Sequence, residues 1–412
     1  MVVPKTARAD DSLSPMVEPR LRILFAAPAW WPSHSFGGPV VAARELVRRL
    51  SDRGHAVEVV TTTLIDLHER PARHSSTAAV DGATVHYLAT PLRYRWMGIT
   101  PTLPLELRRL RRPDVVHVFG FRDPVTTWTA AWCRLRGIPY VFEPLGMFRP
   151  RLRKVALKRT LDATLYRSVA TGAAAIVVAS DRERDDVLAG GADVPVRVRG
   201  NGFPEPASGN GSDGQLRTRT GIPEDAPIVL YVGRIAAGKG IEHLIETARQ
   251  IDGAHVVVVG PDDRHGATTL MDDARADAAV AGRIHTLPVT NRPPLELYRQ
   301  ADVFVLASEG ESFGMAAAEA ASSGTPVVVS DRCGVASFFA SGEALVVPYD
   351  GDAVVAAVRR VLSDPELRKS LSRGGIEAAR RTSWDRVTDV QERIYREAAS
   401  RTAATKLATD GS

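Results

Sequence analysis

The sequence predicts an α/β protein with two doubly wound domains that face each other across a cleft. Short, nearly continuous apolar segments alternate with segments that are apolar at helical spacing, which is typical of a parallel sheet covered on both faces. The alternation stops at NGFPEPASGNGSDGQ (201–215), which is rich in glycine, proline and polar residues, and it restarts afterwards. A chain of 412 residues is also too long for one compact core.

In the first domain, LRILFAAPAW (21–30) is a short apolar run typical of a strand. The segment VVAARELVRRLSDRGH that follows it has helical spacing. The other strand candidates of this domain are AVEVVTTT, DVVHVFG (114–120), PYVFEPLG (139–146) and AAIVVAS (174–180).

The second domain repeats the alternation. Its strand and helix candidates are, in order, APIVLYVG, KGIEHLIETARQI, AHVVVVG, RIHTLPV, ELYRQA, DVFVLAS, MAAAEA, PVVVS and ALVVPYD. Doubly wound sheets bind ligands at the carboxyl ends of their strands, so we expect the two domains to share a ligand cleft.

The expected boundaries follow from these segments. Residues 1–20 mix charges, prolines and serines without an apolar core segment, so we expect a disordered tail and no signal peptide. The remaining parts are the first domain at 21–200, a linker at 201–215, the second domain at 216–384, a C-terminal helix at 385–400 that braces the first domain, and a tail at 401–412.

Composition narrows the class of protein. The net charge of +5 is mildly basic, which suits a solvated surface rich in arginine and leaves an anionic ligand or membrane surface as the alternative. We expect no nucleic-acid partner. The two cysteines, Cys133 and Cys333, are far apart and lack metal-ligand spacing, as in proteins of a reducing compartment. No apolar run reaches membrane-spanning length. We therefore expect a cytoplasmic protein, with peripheral contact with the inner face of the membrane left open.

One loop of the second domain resembles a phosphate-binding loop. In VLYVGRIAAGKGIEHLIE (229–246), Gly233, Gly238 and Lys239 match the Walker spacing, but Gly240 stands where a magnesium-binding Ser or Thr belongs. A nucleotide hydrolase is therefore not expected. Arg234 and Lys239 nevertheless flank the start of a helix, where backbone N–H groups and the helix dipole also favour an anion.

Two other segments carry glycines before a helix. Gly37 and Gly38 in SFGGPVVAARELV form either a tight turn or a loop that lets a ligand approach the backbone. In ESFGMAAAEA, Ser312 is a candidate helix cap, and Glu311 and Glu319 lie about 12 Å apart along a helix. We expect these carboxylates to bind hydroxyls at two ends of one elongated ligand, with a diphosphate between them.

Taken together, these segments resemble a family 4 glycosyltransferase of the GT-B fold over about residues 21–400. The most specific part is the Glu-x7-Glu signature in ESFGMAAAE (311–319), followed by SGTPVVVSDRCG (323–334). The other matching segments are Gly37-Gly38, DVVH (114–117), Ser180 with Glu183, NG (201–202), GRIAAGKG (233–240) and ADVFVLAS (301–308).

The resemblance implies a retaining enzyme that moves a hexosyl or N-acetylhexosaminyl group from a nucleotide-sugar to an acceptor hydroxyl. The expected donor is a UDP-sugar, and a GDP-sugar is the next candidate. Arg234 and Lys239 would neutralise the diphosphate, and Glu311 would bind the sugar. The amides of Phe313, Gly314 and Met315 would lie near the sugar and diphosphate, Glu319 would bind the ribose, and residues after RIHTLPV would line the base pocket. Gly37 and Gly38 would face the donor from the other domain.

The resemblance also has departures. His117 matches the first histidine of a frequent His-x-His segment, but Phe119 occupies the second position. His117 is therefore a candidate for catalysis or a structural histidine at a strand end. Leu145 stands where many relatives carry a polar residue. We expect no cofactor and no essential metal, because the Asp-x-Asp at Asp350–Asp352 is better explained by its second aspartate capping a helix.

Several functions remain open from the sequence. A sugar-nucleotide epimerase and a non-catalytic nucleotide-sugar-binding scaffold are the alternatives to a transferase. The acceptor is either lipid-linked, as in cell-surface polysaccharide or glycolipid synthesis, or a soluble molecule, as in natural-product glycosides. Basic segments at 93–98, 107–113 and 148–159 are either solvated surface or contacts with anionic lipid.

Overall fold

In the computed structural model, the described residues are 19–33, 37–65, 70–94, 96–148, 167–205, 215–261, 267–287 and 295–410. They form two sheets of eight and six strands and a separate two-stranded ribbon. Most strands of both sheets are apolar and buried on both faces, as a sheet between two helical layers requires. The predicted pair of doubly wound α/β domains is therefore confirmed.

The first domain contains the eight-stranded sheet and the ribbon. Its strands are β1 (Arg22–Ala26), β2 (Ala56–Thr62), β3 (Ser76–Val80), β4 (Ala83–Leu88), β5 (Leu92–Tyr94), β6 (Met97–Ile99), β7 (Val115–Phe119), β8 (Tyr140–Glu143), β9 (Ala175–Val178) and β10 (Val196–Val198). Its helices are α1 (Gly38–Asp52), α2 (Leu103–Arg109), α3 (Pro124–Arg136), α4 (Arg167–Thr171) and α5 (Asp181–Ala189).

The order of the large sheet is β10-β9-β8-β7-β1-β2-β4-β3. All of its neighbours are parallel except β3 and β4, which form an antiparallel hairpin at one edge. The ribbon joins β5 and β6. The predicted first-domain strands all form, whereas β3 to β6 and β10 were not predicted. Strands β3 and β10 are the edges of the sheet, and β5 and β6 lie outside it. Strand β4 lies inside the edge, but only three of its six residues are buried, so none of these strands has the continuous apolar run of a central strand.

The second domain contains the six-stranded sheet, which is entirely parallel. Its strands are β11 (Ile228–Val232), β12 (His255–Val259), β13 (Ile284–Leu287), β14 (Val303–Leu306), β15 (Val327–Ser330) and β16 (Leu345–Val347), in the order β13-β12-β11-β14-β15-β16. Its helices are α6 (Gln215–Thr220), α7 (Ile241–Gln250), α8 (Ala267–Ala276), α9 (Leu295–Tyr298), α10 (Met315–Ser322), α11 (Gly351–Ser363) and α12 (Pro365–Arg381), with a 3-10 helix at Gly334–Phe338.

The last helix, α13 (Trp384–Asp410), returns to the first domain. It packs against α1, β7 and β8, so the predicted bracing helix is confirmed. It continues to Asp410. Residues 401–410, expected to belong to a tail, are therefore part of this helix. Arg49 of α1 forms an ion pair with Asp385 of this helix, and Arg53, directly after α1, forms another from its Nη1 to Asp389 Oδ1 at 2.7 Å.

The junction between the domains is packed where it is described. Asn201 and Gly202, at the start of the expected linker, are buried. A Cβ atom on Gly202 would lie 2.3 Å from the ring of Trp384, so only glycine fits there. Residues 206–214 of the expected linker and residues 1–18 of the expected tail lie outside the described residues.

Candidate functional site

The loop between β11 and α7 lies at the carboxyl end of its sheet, where a ligand is expected. Gly238 and Gly240 both have positive φ angles, of 78° and 73°. A Cβ atom on Gly240 would lie 2.0 Å from the carbonyl oxygen of Ala307, at the end of neighbouring β14. The backbone packing therefore excludes any side chain at this position, including the hydroxyl of a Walker loop.

Lys239 in this loop pairs with Glu311 of the signature. Lys239 Nζ lies 2.5 Å from Glu311 Oε1, and the Ser308 hydroxyl donates to the same oxygen at 3.4 Å. The two charged side chains are 18% and 24% exposed, so a ligand can reach them. The structure thus brings together two predicted site residues that are 72 positions apart in the sequence.

Arg234 occupies the other side of the loop and is exposed. Its carbonyl oxygen accepts a hydrogen bond from the buried Tyr231 hydroxyl at 3.0 Å. Burial raises the pKa of Tyr231, and the nearby carboxylate of Glu311 raises it further, so this hydroxyl stays protonated and donates. Among the residues that the structure describes, no acidic group forms an ion pair with Arg234.

Helix α10 begins directly after the signature loop. Gly314 occupies its N-cap position with a φ angle of 111°, and no side chain caps the helix. A Cβ atom on Gly314 would lie 2.8 Å from Leu306 Cδ2. The expectation that Ser312 caps this helix is wrong. The turn at Gly314 instead places the start of α10, with its positive dipole end, beside Glu311.

Glu319 lies in the second turn of α10 and is 5% exposed. Its Oε2 accepts a short hydrogen bond from the hydroxyl of Tyr298, which is fully buried at the end of α9. The segment after RIHTLPV, expected to line a base pocket, begins at residue 290, and residues 290–294 lie outside the described residues.

The first domain approaches α10 through Gly38. Gly37 is the N-cap of α1, with a φ angle of 67°. A Cβ atom on Gly38 would lie 3.4 Å from Met315 Cγ, so the starts of α1 and α10 meet across the cleft. Two helix N-termini that converge on one place favour an anionic ligand there.

A second contact between the domains is centred on Ser312. The Ser180 hydroxyl donates to the carbonyl oxygen of Ser312 at 3.1 Å, and a Cβ atom on Gly146 would lie 3.0 Å from Ser312 Cβ. Glu183 holds the Gly146 turn, because its carboxylate accepts from the N–H of Gly146 at 2.5 Å and from that of Ala179 at 2.9 Å. Burial raises the pKa of Glu183 to about 7.

His117 is fully buried on β7. Its Nδ1 lies 2.7 Å from the Tyr395 hydroxyl of α13, its Nε2 lies 3.1 Å from Glu143 Oε2, and its ring stacks on Phe25. Burial lowers the pKa of His117, so the ring is neutral. These contacts favour the structural interpretation of His117 over direct contact with a reacting group in the cleft.

Glu143, beside His117, belongs to a buried network that the sequence did not reveal. Arg199 pairs with both of its carboxylate oxygens, at 2.7 and 2.9 Å, and donates to Asn201 Oδ1 at 2.9 Å and to Gln391 Oε1 at 3.1 Å. This network joins two strands of the first domain, the domain junction and α13. The hydrogen bond from Arg199 gives Asn201 of the Asn-Gly segment (201–202) a structural role.

The sequence analysis also missed Tyr298 and Ser308 as partners of the signature acids, and it gave Glu183 no role. No local pattern marks these residues, because each meets its partner only through the arrangement of strands and helices.

The Asp-x-Asp segment does cap a helix, but the expectation that its second aspartate is the cap is wrong. Asp350, the first aspartate, caps α11 by accepting from the N–H of Ala353 at 2.9 Å, and the helix already begins at Gly351. Within the described ranges, no cluster of three or more His, Cys, Asp or Glu side chains is arranged to hold a metal ion. Both cysteines are buried.

The basic segments lie on the first domain. All four arginines in 107–113 are exposed. Arg95 falls outside the described residues, and of 148–159 only Phe148 is described. None of the described helices is both long enough and apolar enough to cross a membrane.

Known protein families match each domain separately. Residues 37–202 match the model described as a glycosyl transferase 4-like domain. Residues 213–378 match the model described as glycosyl transferases group 1. Together the two models cover both halves of the cleft and the site between them. The chain belongs to the family 4 glycosyltransferases.

Curated relatives of this glycosyltransferase are similar along most of its length. The D-inositol 3-phosphate glycosyltransferase 1 of Catenulispora acidiphila is 28% identical over 390 residues, which cover 88% of this chain and 91% of that protein. The D-inositol 3-phosphate glycosyltransferase of Acidothermus cellulolyticus is 34% identical over 213 residues, 48% of this chain and 47% of that protein.

Solved structures share the fold of this glycosyltransferase. Anabaena HepE in complex with UDP-glucose superposes with a TM-score of 0.72 at 16% identity, over 92% of this chain and 100% of that one. Sucrose-phosphate synthase from Thermosynechococcus elongatus superposes with a TM-score of 0.69 at 21% identity, over 92% of this chain and 99% of that one. The predicted GT-B fold is confirmed.

Proposed function

We propose that this glycosyltransferase is a retaining, metal-independent enzyme that transfers a hexosyl or N-acetylhexosaminyl group from a UDP-sugar to an acceptor hydroxyl. The observation that carries the proposal is the position of the Lys239–Glu311 pair. It lies beside the start of α10, opposite Gly38 of the other domain. Cations for a diphosphate and a carboxylate for sugar hydroxyls are thus adjacent, as a nucleotide-sugar requires.

In the proposed complex, Lys239 and the exposed Arg234 bind the diphosphate, together with the amides of Phe313, Gly314 and Met315. Glu311 accepts hydrogen bonds from the donor sugar. Glu319, in the second turn of α10, accepts from the ribose hydroxyls, and the Tyr298 hydroxyl orients it. Gly37 and Gly38 have no side chains and so let the donor approach the backbone between the domains.

In the proposed reaction, the bond between the anomeric carbon and the diphosphate oxygen breaks while the acceptor oxygen bonds to that carbon on the same face. The acceptor proton passes to an oxygen of the departing diphosphate. Negative charge therefore grows on the diphosphate, and Arg234 and Lys239 stabilise it most strongly in the transition state.

The choice of donor and acceptor rests on two kinds of support. HepE, which shares the fold, is described in complex with UDP-glucose, which favours a UDP-sugar over a GDP-sugar. The relatives named D-inositol 3-phosphate glycosyltransferases and sucrose-phosphate synthase point to a phosphorylated polyol or sugar as a soluble acceptor. A lipid-linked acceptor at the inner face of the membrane is the second candidate, because the first domain is basic.

A donor panel tests this proposal. The full chain is incubated with UDP-, GDP-, ADP- and dTDP-sugars, alone and with inositol phosphate, hexose phosphates or lipid-linked sugars, and nucleoside diphosphate release is measured. We expect release from a UDP-sugar that rises with one acceptor, and a product with the anomeric configuration of the donor. An inverted product would refute the retaining mechanism.

The same panel separates the two alternatives. An epimerase would convert the donor sugar into its epimer without an acceptor, which NMR of the donor alone would detect. A non-catalytic scaffold would raise its melting temperature with a nucleotide diphosphate but release nothing. Failure of every nucleotide diphosphate to raise the melting temperature would remove the donor site itself from the proposal.

A further inference from the structure

The outer face of α3 exposes an apolar stripe. Trp128, Ala131, Trp132 and Leu135 are spaced three, four and seven residues apart and therefore share one face of the helix. Trp128 is 39% exposed, Leu135 is 87% exposed and Trp132 is half-buried between them. Large apolar side chains exposed together on one helix face are typical of an interaction surface.

Arginines surround the end of this stripe. Two lie in the last turn of α3, and four lie in α2 or directly after it: Arg108, Arg109, Arg111, Arg112, Arg134 and Arg136. Glu106 is the only acid in α2, and α3 contains none. The Arg112 guanidinium donates to the carbonyl oxygens of Arg136 and Gly137, at 3.1 and 2.9 Å. This contact fixes the end of α2 against the end of α3, so the positive charges gather around Leu135.

We propose that this surface, the α3 stripe with its six surrounding arginines, docks the protein onto a bilayer that contains anionic lipids. Indole and leucine side chains insert at the boundary between headgroups and acyl chains, while guanidinium groups attract anionic headgroups. Each arginine near such a surface adds to this attraction. The pairing of an apolar stripe with one sign of charge matches a negatively charged surface that has an apolar layer beneath it.

The orientation of α3 connects this surface to the cleft. Strand β7 ends at Phe119 at the carboxyl edge of the sheet, and Asp123 caps α3 there by accepting from the N–H of Val125 at 2.7 Å. The helix then runs back along the side of the domain. Trp128, in the second turn of α3, is therefore the end of the stripe nearer the cleft, and Leu135 with the arginines is the end farther from it. That the docked protein meets a lipid-linked acceptor rests on the proposed function. The docking itself does not depend on it.

Vesicle sedimentation tests the docking without donor or acceptor, so a failure of the transferase proposal would leave its result intact. The full chain is mixed with phosphatidylcholine vesicles with or without phosphatidylglycerol. We expect binding only with phosphatidylglycerol, and a loss of at least about tenfold in affinity between about 0.1 and 1 M salt, because the Debye length shrinks from about 10 to 3 Å.

Two pairs of variants locate the surface. Trp128→Ser with Leu135→Ser removes the stripe, and Arg108→Gln with Arg111→Gln removes two charges; we expect each pair to weaken binding about tenfold. Leu188→Ser, at a leucine of α5 that is 51% exposed, is the control for the stripe. Arg373→Gln with Arg380→Gln, at exposed arginines of α12, is the control for the charges, and neither control should change binding.

Quenching by brominated lipids supplies a direct readout. We expect tryptophan fluorescence to be quenched on anionic vesicles, and Trp128→Phe to lose most of that quenching while it still sediments. Equal binding to vesicles without phosphatidylglycerol, no binding even at low salt, or equal losses in the control variants would each overturn the proposal. Undiminished binding by both stripe and arginine variants would show that another part of the chain meets the bilayer.

Discussion

Lys239 Nζ lies 2.5 Å from Glu311 Oε1, so the loop after β11 and the signature loop after β14 are joined by an ion pair at the carboxyl edge of the second sheet. In the proposed function, the ammonium group must also bind the donor diphosphate. The pair therefore sets both partners in place before the donor arrives.

The first prediction concerns the two cations. Lys239→Ala and Arg234→Ala should each lower turnover about a hundred- to a thousandfold, because charge on the leaving diphosphate develops in the transition state. Both groups are partly exposed, so the free energy of unfolding should fall by less than about 1 kcal/mol. Steady-state kinetics and urea unfolding measure the two effects. Lys369→Ala, at an exposed lysine of α12, is the control, and near-normal turnover in both site variants would contradict the assignment.

The second prediction concerns the buried acid. Glu319→Gln should raise the donor KM about tenfold with little change in turnover, because contacts with the ribose change little during the reaction. Tyr298→Phe should shift the donor KM in the same direction by a smaller factor, since it removes only the hydroxyl that holds Glu319. Donor saturation curves measure both. A fall in turnover at unchanged donor affinity would contradict a ribose-binding role.

The third prediction uses a matched pair of glycines. Gly240 and Gly253 have nearly equal φ angles, 73° and 72°, but a Cβ atom on Gly253 meets nothing within 4 Å. Gly253→Ser should therefore cost only backbone strain of about 1–2 kcal/mol. Gly240→Ser should cost about 1–3 kcal/mol more, because it also clashes with the Ala307 carbonyl.

Urea unfolding of both variants measures this difference. Gly240→Ser, which restores the hydroxyl of the Walker pattern, should not make activity depend on magnesium. Equal destabilisation of the two variants would mean that the close contact with Ala307 is easily relieved.

The fourth prediction is that activity survives exhaustive treatment with EDTA. The proposed site uses Arg234, Lys239 and the start of α10 as its positive charges, and Asp350 already serves as a helix cap. Magnesium is expected at most to speed the release of the product nucleotide modestly. Activity measured after EDTA, with and without added magnesium or manganese, checks this. Complete loss that either metal restores would show that a metal ion holds the phosphates.

The fifth prediction follows from Glu183. Its pKa is raised from 4.5 to about 7, first by burial and also by the negative charge of Glu143, against opposing effects of Arg199 and of two backbone N–H donors. The folded protein therefore holds a proton that the unfolded chain releases between these pH values. The contribution of Glu183 to stability is thus present below about pH 4.5 and is lost as pH rises toward 7.

Urea unfolding between about pH 5 and 8 measures this loss, which can reach about 1.4 kcal/mol per pH unit. Glu183→Gln cannot ionise and should show a flatter dependence on pH. Glu377→Gln, at an exposed acid of α12, should show the same dependence of stability on pH as the original protein. The same slope in all three proteins would mean that Glu183 titrates near its ordinary pKa.

The sequence by itself determined the two doubly wound domains, because central parallel strands such as β7 and β11 are buried on both faces and so need continuous apolar runs. It also made Glu311, Glu319, Arg234 and Lys239 candidates for a ligand site, since glycines and charged residues at fixed spacing reflect local backbone geometry. It did not predict the β3–β4 hairpin. The Asp81-Gly82 turn there is a typical hairpin signal, but the exposed β3 strand lacks the apolar pattern.

Only the tertiary structure decided which of these residues meet. The pairing of Lys239 with Glu311 depends on the adjacency of β11 and β14, and that of Tyr298 with Glu319 depends on how α9 packs against α10. The fully buried position of His117 depends on α13, which crosses from the other end of the chain. A sequence pattern records the local preferences of the backbone and the face that each side chain buries. Contacts between distant segments arise from the packing of whole strands and helices, which no short segment encodes.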